Sequence, residues 1–260
     1  MKLTALSIFI LTLAFSTTAF GQKYLDKPWQ QWTKDEAAKA LSTPPWANTY
    51  QSSSDLADMT KQQQQREQSD TRLGGSERGS TARNIDVAPL VIRLYSASMI
   101  REGFLRLRQI INGYDNMNEA DKKKFDTANA VLLNCPLCKD YYIVTVEKYR
   151  DSSMGTVDDG LFQRMKLEDF QNKVWLETDK HEKRMVAQFT PSKGPGDASV
   201  FFFKRVDDKG NPLIMPETKS FKFVFSNELR EKNNNPYSSL LPDSFEFKVS
   251  KLTVNEKIDF

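Results

Sequence analysis

Cysteine and histidine are nearly absent from this chain of 260 residues, which holds two of the first and one of the second. Two cysteines exclude a disulfide-rich scaffold, so an apolar core must carry the stability. Seventeen phenylalanines make that core aromatic. One histidine, His181, leaves a zinc knuckle short of ligands and would have to serve any Ser-His-Asp machinery alone. Charge of one sign is lacking too: 37 Lys and Arg face 34 Asp and Glu, a formal net charge of +3. That balance argues against a dedicated nucleic-acid binder, which needs a basic excess on one face. No G-x-S-x-G elbow, P-loop, H-E-x-x-H or other cofactor motif is present, and there is no internal repeat.

Long hydrophobic runs are also missing. The apolar stretch from Ala5 to Phe15, broken by Ser7 and Thr12, is too short to span a bilayer comfortably. With Lys2 before it and Ala19-Phe20-Gly21 after it, residues 1–21 read as an export signal cleaved near Gly21, so that the mature chain starts at Gln22. The expected product is a secreted or periplasmic protein without a transmembrane segment, in a compartment that oxidises thiols.

Residues 22–50 read as a tryptophan-rich helical arm carrying Trp29, Trp32 and Trp46. Thr33-Lys34-Asp35-Glu36 is a capping box, and Pro44-Pro45 stops the short helix that follows it. Such a helix is marginal alone. Its tryptophans must bury against the main domain or against a protein partner, and docking in cis is the favoured alternative because an exposed cluster invites aggregation. Residues 51–84 hold Ser52-Ser53-Ser54, Gln62 to Gln65 and Gly74-Gly75-Ser76 with few apolar residues, the composition of a disordered polar linker.

Residues 85–260 read as the globular domain. Leu90 to Tyr95 suits a strand. Ser98 caps a helix whose stripe is Ile100, Phe104, Leu107 and Ile111, with Arg101 and Arg108 off that stripe. Asn118 caps a second helix, Glu119 to Leu133, facing inward with Phe125, Ala128 and Leu132. Strands are expected at Tyr141 to Tyr149, Val174 to Glu177, Met185 to Phe189, Ser199 to Val206, Phe221 to Phe225 and Phe245 to Val249. The turn residues Asp207 to Asn211 predict a hairpin between Ser199–Val206 and Pro212–Met215, and Asp158-Asp159-Gly160 predicts a short helix through Lys166. The fold class is α+β: a largely antiparallel β-sheet with two main helices on one face, preceded by the arm and the linker.

Cys135-Pro136-Leu137-Cys138 is the most specific local motif. A thioredoxin-type site places its pair at the start of a helix, whereas here a helix precedes the pair and a strand follows. Haem attachment wants C-x-x-C-H, and Lys139 stands where that histidine would be. A local disulfide is favoured, contributing about 2 kcal/mol or less for so short a loop. His181 lies among Asp179, Lys180, Glu182, Lys183 and Arg184, the composition of a solvated turn.

The stretch Lys27-Pro28-Trp29-Gln30-Gln31-Trp32-Thr33, ending in Pro44-Pro45-Trp46-Ala47, resembles the opening of a group of bacterial secreted proteins of unknown function. Those begin with W-x-x-W, a short acidic-capped helix and a P-W-A stop. Leu94-Tyr95-Ser96-Ala97 and Phe202-Phe203-Lys204-Arg205 are loosely similar to the same group. The resemblance implies export and a tryptophan-rich arm, and no activity, ligand or cofactor. The leading expectation is an exported non-enzymatic binding or structural component of the cell envelope or extracellular space. The alternatives are an exported thiol–disulfide protein using Cys135 and Cys138, and a hydrolase of unknown type.

Overall fold

The computed structural model describes residues 23–50, 89–148, 162–194, 196–231, 241–254 and 257–260. The expected signal (1–21), the linker (51–84) and the start of the helix opened by Asp158 lie outside these residues, while its predicted end, 162–166, is a turn with Phe162 at φ 59° and the next helix starts only at Leu167. Among them the architecture is α+β, with mostly antiparallel strands. No helix among them is long and apolar enough to cross a membrane.

Among the described residues two main sheets pack together where one was expected, and a separate two-stranded ladder pairs Thr253–Val254 with Lys257–Ile258. The first has the order β1-β2-β3-β7-β6, from β1 (Ala47–Tyr50), β2 (Leu90–Leu94), β3 (Tyr141–Lys148), β7 (Ser199–Lys204) and β6 (Gln188–Thr190). The second has the order β5-β4-β8-β9, from β5 (Lys183–Met185), β4 (Val174–Thr178), β8 (Ser220–Phe225) and β9 (Ser244–Lys248). The predicted single strand from Met185 to Phe189 is instead split. Val186 and Ala187 carry the chain from one sheet to the other: Val186 N–H donates to Val174 and Ala187 N–H to Phe202. The predicted strand Pro212–Met215 reduces to one bridge, Val206 to Pro212. Asp207 holds the intervening turn by accepting from the amides of Lys209 and Asn211.

Period-2 alternation decides which residues meet between the sheets. Phe201 and Phe203 of β7 face Phe223 and Phe225 of β8, with ring centroids 5.4 to 6.3 Å apart. Phe162, Phe170 and Phe189 close around Phe201 at 4.9 to 6.0 Å. Tilted and edge-on geometries predominate, as ring quadrupoles prefer.

The helices are α1 (Lys34–Ala40), α2 (Ser98–Ile111), α3 (Glu119–Asn134), α4 (Leu167–Phe170) and α5 (Asn227–Glu231). Helix α1 starts at the capping box: Glu36 N–H donates to Thr33 Oγ1 at 3.3 Å, and Thr33 N–H to Glu36 Oε2 at 2.8 Å. It lies so close to α2 that a Cβ on Gly103 would stand 3.1 Å from Leu41 Cδ2. Asn118 caps α3 as expected, accepting from Asp121 N–H. Of that helix's predicted inward face, Leu132 is buried, Phe125 is half-buried and Ala128 is exposed.

Helix α2 departs from its predicted stripe. Ile111 is 73% exposed, while Arg101 and Arg106 are buried. The helix packs against α1 and α3 at once, so its covered surface wraps around more than one apolar line. The guanidiniums bury because backbone carbonyls receive them. Arg101 donates to Leu132 and Leu133 at the C-terminal end of α3, where the helix dipole favours a cation. Arg106 donates to the Trp32 carbonyl at 2.8 Å and pairs with Asp115 at 3.1 Å. Ser98 is not the cap either. Ala97 occupies the N-cap position without a side-chain bond, and the Asp259 carboxylate takes the amides of Ser98 and Met99 at 2.7 and 3.0 Å.

Candidate functional site

The tryptophans considered for partner contact lie inward. Trp32 and Trp46 are each 1% exposed, and Trp29 is half-buried against the same core. Trp32 Nε1 donates to the Tyr24 carbonyl at 2.8 Å, and Trp46 Nε1 to the Asp259 carbonyl at 3.2 Å. The arm ends in β1, which pairs with β2. Two buried arginines hold it: Arg106 through Trp32, and Arg93 through the Leu41 carbonyl at 2.5 Å. Trp32 and Trp46 are therefore covered within the fold, and Trp29 is covered in part.

Cys135 and Cys138 form a disulfide with Cα atoms 5.4 Å apart. Cys135 is the C-cap of α3, and Cys138 sits in the single turn Pro136–Lys139 that leads to β3. A helix C-terminus carries the negative end of the dipole and disfavours a thiolate, the reverse of an activated redox pair.

His181 sits in the turn between β4 and β5 with φ 64° and a side chain 86% exposed. Its Nδ1 lies 3.0 Å from Glu177 Oε1. Glu177 is the centre of a small charged cluster that sequence reading passed over. It also accepts from Trp175 Nε1 at 2.9 Å and pairs with Lys183 at 3.4 Å. The hydrogen bond from His181, then that from Trp175, hold its carboxyl down at about 2, below the ordinary 4.5. A depressed carboxyl contributes stability above the ordinary value and loses it as pH falls through the depressed one, so this cluster persists down to strongly acidic pH.

Alternation along β4 explains why these groups are outside. Val174, Leu176 and Thr178 point into the core, and Trp175 and Glu177 point away. Cross-strand register then builds two rows over the outer face. Met185, Trp175 and Val224 stand abreast, and beside them Lys183, Glu177 and Lys222 alternate in sign. The Trp175 ring is fixed at its nitrogen by Glu177 and lies 4.8 Å from Lys183 Nζ. Next to it opens a groove of about 570 Å³, lined by Trp175, Val224, Asn227, Glu228, Arg230 and Asp243.

The chain matches no family model, no curated protein and no solved structure.

The chemistry of this face is therefore read from its own residues. Several of its acids and bases are paired with one another: Glu177 with His181 and Lys183, Arg230 with Asp243, and Lys173 with Glu228. Among the described residues no group of three or more His, Cys, Asp or Glu side chains converges as a metal site. What the face offers is an oriented indole, a flanking apolar row and a row of alternating charge, all on a rigid sheet. The signal legible in the sequence was Trp175-Leu176-Glu177, but its outward side could be assigned only once Val174 and Leu176 were known to face the core.

Proposed function

We propose that this protein is an exported, non-enzymatic binding or structural component of the cell envelope or extracellular space, and that it makes contact through the outer face of the β5-β4-β8-β9 sheet. The observation that carries this reading is Trp175. It is an aromatic side chain on an open sheet face, oriented in advance by Glu177 and Lys183. Aromatic anchors held in place lose little side-chain entropy on contact and dominate the binding energy of such surfaces. The charged row beside it would set register and discriminate between partners. Export is supported by the composition of residues 1–21, and a thiol-oxidising compartment agrees with the Cys135–Cys138 bond.

The test is co-sedimentation of the mature chain with isolated envelope material, native protein beside Trp175→Ala. Several-fold weaker retention of the variant is expected, with unfolding curves unchanged. Equal retention removes Trp175 from the contact. Turnover found in an activity screen and abolished by one polar substitution would overturn the non-enzymatic reading altogether.

A further inference from the structure

The last described residues are tied down at several points. Asp259 caps α2 with both carboxylate oxygens, its carbonyl accepts from Trp46, and its amide donates to Leu252 at 2.7 Å. Phe260 packs on Tyr142 and Phe221 with centroids 5.5 and 6.4 Å away, and its backbone oxygen accepts from Arg205 at 2.6 Å. One strap thus joins the arm, α2 and both sheets. Glu102 stands four residues after Ser98, on the same side of α2 as the two amides that Asp259 caps. It is half-buried and makes no ion pair among the described residues.

We infer that residues 257–260 form a pH-sensitive latch, closed while Glu102 is neutral and loosened when Glu102 carries charge beside Asp259. The carboxyl of Glu102 is pushed up to about 7, first by burial and then by the Asp259 charge, with Arg101 opposing. Arg101 in turn interacts with Tyr95 and with Arg205, the cation that holds Phe260. A raised carboxyl contributes its stability fully below the ordinary 4.5 and loses it as pH climbs through about 7. The latch is therefore tight in acid and weakened at and above neutrality. A second carboxylate near the cap also competes for the same helix N-terminus, where one anion is favourable and a crowded pair is not.

Hydrogen exchange at the Ser98 and Met99 amides of the full mature chain, corrected for intrinsic rates, reads the latch directly. Between pH 5 and pH 8 the opening of these amides should rise about tenfold, below the ceiling of about 70-fold that a midpoint moved from 4.5 to about 7 allows across that window. Glu102→Gln should abolish the rise and keep both amides protected at pH 8. Equal pH dependence in the native chain and Glu102→Gln overturns the inference. Asp259→Asn supplies an independent readout by NMR titration: the Glu102 midpoint should fall, and a midpoint that stays in place overturns the coupling.

Discussion

Replacing Arg93 by methionine tests whether the arm is held by charge or by apolar packing alone. The Arg93 side chain is 6% exposed. It donates through Nε to Leu41, through Nη2 to Glu147 at 2.7 Å, and its guanidinium carbon lies 5.4 Å from the Phe104 ring centroid. Its Nη1 has no hydrogen-bond partner, so part of the desolvation cost of the cation is uncompensated. Methionine keeps most of the volume and removes the charge. The loss then divides into two parts. An unpaired Leu41 carbonyl costs about 1–3 kcal/mol. The Glu147 carboxylate loses its partner, yet at 19% exposure it still reaches water and relaxes part of its penalty. A total near 3 kcal/mol follows, at the low end for breaking a buried pair. Glu147→Leu together with Arg93→Met should lose about 1–2 kcal/mol less than the two single changes added, because neither charge is then stranded. Urea unfolding followed by tryptophan fluorescence reads the arm itself, since Trp32 and Trp46 belong to it. A loss under about 1 kcal/mol for Arg93→Met, or strict additivity in the double variant, would refute this reasoning.

Phe201→Ala removes the ring on which five other phenylalanines converge. It should cost about 3–5 kcal/mol in urea unfolding, with Phe201→Leu costing far less. Replacing both Cys135 and Cys138 by serine should leave the far-ultraviolet spectrum unchanged and cost about 2 kcal/mol or less, because the closed loop is so short; unfolding of the domain on reduction would contradict that.

Local signals were readable because they act within a few residues. The Thr33–Glu36 box, the Asn118 cap and the alternation of Phe221, Phe223 and Phe225 against Lys222 and Val224 all appear in the structure as the sequence suggests. Long-range substitutions of one partner for another were not readable. Ser98 has the chemistry of a cap, but a carboxylate 161 residues away takes the position. Arg101 and Arg106 look like solvated helix residues until carbonyls from α3 and from the arm are brought to them. The second sheet was hidden for a similar reason: Met185 to Phe189 has one composition, but its two ends pair with different neighbours. The outer face of Trp175 and Glu177 shares this cause. Outward and inward are properties of a packed sheet, and neither residue declares its side alone.

Strands β1 and β2 are hydrogen-bonded neighbours, yet the chain runs from Tyr50 to Leu90 between them. The described residues before that span, 23–50, are gripped by contacts that cross space: the β1–β2 ladder, the Arg93 and Arg106 bonds to carbonyls, and the Trp46 indole on Asp259. Scission within the span would thus yield two polypeptides travelling as one particle, separable in denaturant and indistinguishable from the uncut form by size.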